Sequence, residues 1–219
     1  MKTANWASLF AATLLVGGCA TTAPSSTTAT YFAIYDLPAS AHLAQVEDAV
    51  VGSANEVTGS SNVSDLPPPS PLPAQPGRFQ ILNAGSANTS MGFTDPGQAG
   101  QLTYMMTNAH CPGSSFSVTG QEVSNPAIQI KTVYCIYPYA RGTQVDVVLI
   151  TSQNSGTSGG ATGYLLHMTR SLFNSAGEGW EQRINQEFSD LQLRLAKIDA
   201  RVTVADSYLP SPSVESKSN

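Results

Sequence analysis

From Thr30 the chain alternates: Tyr31, Ala33, Tyr35 and Leu37 fall on one face and Phe32, Ile34 and Asp36 on the other. Aromatic and branched residues at a period of two predict a strand, and Pro38 ends it. Ser40 is then a candidate N-cap. Leu43, Val46, Val50, Ala54 and Val57 recur at steps of three and four, which predicts an amphipathic helix over 41–57 closed by Gly59 and the polar run after it. From Arg78 the period returns to two. Short strands are expected at Phe79–Leu82, at Leu102–Thr107 and at Ser115–Thr119. The clearest pair is Ile128–Tyr139 with Val145–Thr151, two alternating runs joined by Ala140-Arg141-Gly142-Thr143, which predicts a β-hairpin. Beyond a Gly/Ser-rich link over 154–160 the pattern becomes helical, first over 161–175. It then runs through Trp180, Ile184, Phe188, Leu191, Leu195, Ile198 and Val202. Arg183 with Glu187 and Asp190 with Arg194 stand four apart, as expected of ion pairs on a solvent face.

Runs of strands bracketed by helices predict an α+β domain with a mainly antiparallel sheet, an N-terminal helix and a long C-terminal amphipathic helix. That domain is expected over 30–205. Between its first helix and the strands lies 66–77, which holds Pro67, Pro68, Pro69, Pro71, Pro73 and Pro76. Fixed φ angles and missing N–H groups make this an extended, polyproline-like strap, either a stiff crossover on the surface or a ligand for a partner's aromatic groove. Residues 206–219 carry no core-forming pattern and are expected to be a disordered tail. The apolar stripe of the last helix is most simply the face that packs on the sheet; the alternative is a helix that docks on a partner.

The N-terminus has a different logic. Lys2 precedes an apolar stretch from Ala7 to Val16, too short to span roughly 30 Å of hydrocarbon as a helix but of the length of a signal-peptide core. It closes on Leu15-Val16-Gly17-Gly18-Cys19, which resembles the lipobox of bacterial lipoproteins. The resemblance implies a signal peptide over 1–18, cleavage before Cys19, acyl chains on that cysteine and a tether over 19–29. It also implies outer-membrane sorting, because Ala20 rather than Asp follows the cysteine. The alternative is an ordinary secretory signal with an incidental cysteine.

Three cysteines are present in all. With Cys19 assigned to lipid, Cys111 and Cys135 form a candidate disulfide in an oxidising compartment, the alternative being two free thiols. No further ligand pair gives them zinc-like spacing, so no metal or cofactor is expected. Charged residues are only 11% of the chain and the net charge is −5, which argues against a nucleic-acid partner, since phosphate neutralisation needs a basic footprint.

One constellation carries possible chemistry. Thr107-Asn108-Ala109-His110-Cys111, Asp146-Val147-Val148-Leu149-Ile150 and Gly156-Thr157-Ser158-Gly159-Gly160 resemble the three catalytic segments of trypsin-like serine proteases, in the same order. The resemblance implies Ser158 as nucleophile, His110 as base and Asp146 as its orienting carboxylate. It covers about fifteen residues and departs from the family in spacing. Asp146 and Ser158 are twelve residues apart, where that family places most of a β-barrel. Tyr134, Tyr137 and Tyr139 with Trp180 offer a groove for sugar or peptidoglycan, or core and edge packing. His42 and His167, on helical stretches, read as packing or surface residues. The expected function is therefore a lipid-anchored envelope protein with a non-enzymatic binding or structural role. A lipid-anchored serine hydrolase and an accessory subunit of an export or conjugation machine, docked through the C-terminal helix or the strap, are the alternatives.

Overall fold

A computed structural model describes residues 26–59, 61–82, 103–122, 128–154 and 176–210. The signal peptide, Cys19, the expected helix over 161–175, His167 and Ser158 lie outside these residues.

The described elements are β1 (Ser26–Pro38), α1 (Leu43–Thr58), β2 (Ser61–Asp65), β3 (Gln80–Leu82), β4 (Asn108–His110), β5 (Phe116–Glu122), β6 (Ile128–Tyr139), β7 (Gly142–Asn154), α2 (Ala176–Ile198) and β8 (Thr203–Tyr208). Six strands form one sheet in the order β2-β5-β6-β7-β1-β8, and every neighbouring pair is antiparallel. β3 and β4 form a separate antiparallel ribbon. The protein is therefore α+β with a mainly antiparallel sheet.

Both faces of the central strands are buried, over 132–139 of β6 and 142–152 of β7. On one face Ala33, Tyr35 and Leu37 of β1, Tyr134 and Ile136 of β6, and Val145, Val147 and Leu149 of β7 meet Val46, Val50 and Ala54 of α1 and Ile184, Phe188, Leu191 and Leu195 of α2. On the other face Val133, Cys135, Tyr137, Val148 and Ile150 are covered by Tyr104, Ala109 and the partly buried Phe79, Ile81 and Cys111. The sheet thus lies between a helical layer and a layer made of the strap, the ribbon and the loop that follows it. Pattern reading placed the tyrosines of β6 in a groove or in packing. Tyr134 and Tyr137 are fully buried and Tyr139 nearly so, and they act as packing residues.

The structure corrects several local expectations. The segment 102–107 was expected as a strand; residues 103–106 form a single helical turn instead, and the strand falls one step later at β4. Lys131 caps that turn by donating from Nζ to the carbonyls of Tyr104, Met105 and Thr107, which satisfies oxygens left open at a helix C-terminus. β1 begins at Ser26, inside the expected tether, because its ladder with β7 continues to Asn154. β8 runs through Tyr208, past the start of the expected tail, and pairs with β1. β2 is an exposed polar edge strand without an alternating signature, and its ladder with β5 supplies the order. His42, not Ser40, occupies the N-cap of α1 and makes no side-chain cap bond. Ser40 instead donates to Asp199 and accepts from Arg201. Gly59 closes α1 at φ 67°, a left-handed turn that glycine adopts without a Cβ clash.

Candidate functional site

The outer face of the sheet collects the residues with chemistry. Cys111 and Cys135 form a disulfide, S–S 1.95 Å and Cα–Cα 5.6 Å, which fastens the end of the ribbon to the middle of β6. Cys135 pairs in register with Asp146 on β7, so the bridge also brings His110 toward the strand that carries Asp146. The two are not joined. His110 is exposed at the end of β4, where it pairs with Gln80. Both Asp146 oxygens are engaged elsewhere. Oδ2 accepts from the Phe79 backbone N–H at 3.0 Å, and Oδ1 accepts from the Gln144 amide at 2.7 Å. Of the three residues expected as a triad, the described structure thus holds two, and it gives the carboxylate a different task from orienting an imidazole.

That task is to hold the chain where it leaves the strap. Gln144 donates a second bond to the Gly77 carbonyl at 2.9 Å, so adjacent outward positions of β7 grip residues 77–79 from below. The alternation of a strand puts Gln144 and Asp146 on the same face, two residues apart. Gly77 is needed because a Cβ there would lie 2.6 Å from the Tyr137 ring. Arg78 reaches sideways, pairing with Asp206 of β8 and lying over the Phe32 and Phe79 rings at 5.8 Å from each centroid. Asp146 is fully buried, and burial pushes its carboxyl up to about 6 against the lowering effects of Phe79, Gln144 and Arg78. The Tyr137 hydroxyl on β6 is buried with no hydrogen-bond partner in the described structure, and burial together with the Asp146 charge pushes its pKa well above the ordinary tyrosine value.

A second polar group sits on the helical side. Glu187 was expected on the solvent face of α2 with Arg183; its carboxylate turns inward instead. Oε1 accepts from Ser53 at 2.8 Å and from the Tyr134 hydroxyl at 2.7 Å. Next to it, the Tyr35 hydroxyl donates to the Phe188 carbonyl at 2.7 Å. Burial raises the Glu187 carboxyl, and Asp190 and Glu56 add to it while the two hydroxyls oppose it. Arg194, expected to pair with Asp190, pairs with Glu56 of α1. A cavity of about 220 Å³ opens here, with Val57, Ile130, Leu149 and Ile184 as its apolar wall and Glu56, Glu187 and Asp190 at its rim. Sequence reading missed Gln144 and Glu187 because a helical or alternating pattern assigns polar residues to solvent by default. Nothing in the sequence marks a carboxylate that two hydroxyls will bury.

Among the described residues no cluster of three His, Cys, Asp or Glu side chains is arranged to hold a metal ion. No described helix is long and apolar enough to cross a membrane. No protein-family model, curated protein or solved structure matches the chain.

Proposed function

We propose that this chain is a bacterial lipoprotein, anchored by acyl chains on Cys19, that works in the cell envelope as a non-enzymatic binding protein. The observation that carries the reading is the Cys111–Cys135 bridge. It accounts for two of the three cysteines and leaves Cys19 as the third, at the end of a sequence that resembles a lipobox. A disulfide inside the fold suits an exported protein, because cytosolic thiols are kept reduced. Ala20 after the cysteine supports the outer membrane as destination. In this reading the N-terminal helix and the long C-terminal amphipathic helix back the sheet, and the strap is the docking element. The stripe of α2 is used up in the core, whereas the strap side chains over 66–75 are exposed, Leu66 and Leu72 among them. Proline-rich segments dock on aromatic-lined grooves at a small entropic cost, because their backbone is already restricted. A partner protein with such a groove, in the same envelope, is the proposed ligand.

The test is fractionation of cells expressing the full chain and Cys19→Ala. The reading expects wild-type protein in the membrane fraction, labelled by radioactive palmitate, and the variant unlabelled and released. Equal unlabelled distribution of the two proteins would overturn it.

A further inference from the structure

We infer that the domain stands end-on at the lipid surface. The end of the sheet formed by the start of β1, the start of β6 and the end of β7 faces the headgroups, and the strap crosses at the far end. The pose rests on the proposed acylation of Cys19; given that anchor, tether and sheet decide which end is down. Six residues, 20–25, separate Cys19 from Ser26, the first residue of β1. Seven Cα–Cα steps at full extension reach about 25 Å. β1 has 13 residues, which at about 3.3 Å each put Pro38 about 40 Å from Ser26. With the Pro38 end down, Ser26 would stand about 40 Å above the lipid, beyond the reach of the tether. The inverted pose is excluded.

Charge decides between standing and lying. α1 carries Glu47, Asp48 and Glu56 and no Lys or Arg, and Glu187 and Asp190 of α2 line the same cavity as Glu56. An anionic headgroup layer repels the helical face. Lying on the opposite layer would cover the strap and desolvate the exposed Arg78–Asp206 pair. The Ser26 end has no such charge. Ser26–Thr30, Ile128–Ile130 and Thr151–Asn154 hold Ser, Thr, Gln, Asn, Ala and Ile, and the register sets Thr28, Ser152 and Gln129 side by side. Glu122 of β5, opposite Ile130, is the one carboxylate beside them among the described strands, and it is half-buried. The segments that continue the chain from this end, 123–127 and 155–175, add no Asp or Glu. Hydroxyls and amides suit headgroup phosphate and glycerol oxygens, to which they donate hydrogen bonds without bringing a like charge.

The strap and the chain leaving it are gripped at the other end, by bonds from Ala140 to Pro73, Gln144 to Gly77 and Phe79 to Asp146. Gln144 and Asp146 stand opposite Asp36 and Ile34 of β1, ten and eight residues beyond Ser26. The strap therefore crosses about 25–40 Å above Ser26, and the partner proposed for it approaches from the aqueous side of the envelope rather than within the bilayer.

The test uses the acylated full chain, purified from a bacterial membrane fraction and reconstituted in vesicles of phosphatidylethanolamine and phosphatidylglycerol. A thiol-reactive fluorophore is placed at Gln129→Cys or at Arg141→Cys, half-exposed and exposed positions at opposite ends of β6, about 33 Å apart. The Cys111–Cys135 bridge and acylated Cys19 leave no competing thiol. Nitroxide carried on lipid headgroups quenches a probe only at short range. Expected is quenching at Gln129 at least about threefold that at Arg141, given the length of strand between them. Should the Gln129 variant not fold, Gln121→Cys, exposed on the neighbouring β5, takes its place with the same expectation. Equal quenching at the two ends, or stronger quenching at Arg141, would overturn the end-on pose while leaving the anchor intact. Protein that does not stay with the vesicles, or Cys19→Ala that stays equally well, overturns the anchor and the pose with it.

Discussion

Replacing both Cys111 and Cys135 by Ala removes the covalent link between the outer layer and the sheet. The bridge joins residues separated by 24 positions, closing a loop that the denatured chain must otherwise close by chance. For a loop of about 25 residues the chain-entropy relation gives about 3.5 kcal/mol at 25 °C. The native state offers little to offset this loss. Cys135 is fully buried beside Val133 and Val148, and Cys111 packs on the same cluster, so the truncated side chains leave space rather than new contacts. Urea unfolding of the double variant against wild type, both non-reduced, should therefore show a loss of about 3–4 kcal/mol. Exchange should accelerate first in β3, β4 and the strap, while amides facing α1 and α2 change only by the global amount. A loss below about 1 kcal/mol would refute the assignment of the bridge as a principal fastening of that layer.

Other perturbations separate the two faces. Glu187→Ala leaves the Tyr134 and Ser53 hydroxyls without their acceptor and should cost about 2–3 kcal/mol, whereas Glu187→Gln keeps an acceptor and should cost less than about 1 kcal/mol; chemical denaturation at pH 7 checks both. Leu191→Ala, in the fully buried stripe of α2, should destabilise by about 2–5 kcal/mol in the same assay. Gly77→Ala forces a methyl against the Tyr137 ring and should cost about 1–3 kcal/mol, read with accelerated exchange of the Phe79 amide. The pH dependence has a definite sign. Folding raises the Asp146 carboxyl from 3.8 to about 6, so its favourable contribution is complete below 3.8 and is lost as pH rises through 6. It spans about 3 kcal/mol. Stability curves for wild type and Asp146→Asn should therefore converge in acid and separate as pH rises from 4 to 6, with the wild type losing more.

The hairpin β6–β7 was legible because its alternation is strong and its turn residues are local; the structure shortens the connection to Ala140 and Arg141. β2 and β8 were not legible. Ser61–Asp65 and Thr203–Tyr208 are polar or mixed edge strands, and what orders them is a ladder to a neighbour distant in sequence. Propensity at 102–107 favoured a strand, but Lys131 reaching over to cap three carbonyls selects a helical turn. At the candidate site the resemblance of three short segments implied His110, Asp146 and Ser158 as a triad, the alternative to a non-enzymatic role. Position along the chain cannot reveal that the Phe79 N–H and the Gln144 amide occupy the carboxylate, since those contacts arise when the strap folds over β7. Glu187 was misread for a related reason. Its four-residue spacing from Arg183 suggested the surface, while the two hydroxyls that draw it inward come from α1 and β6.

The central claim, a lipid-anchored envelope protein fastened internally by one disulfide, is tested most directly by the intact mass of the full chain purified from a bacterial membrane fraction. The account predicts a polypeptide beginning at Cys19, heavier by its acyl chains, and two hydrogens lighter before reduction than after it. An unacylated chain that retains Met1, or one cleaved elsewhere with its mass unchanged by reduction, would contradict it.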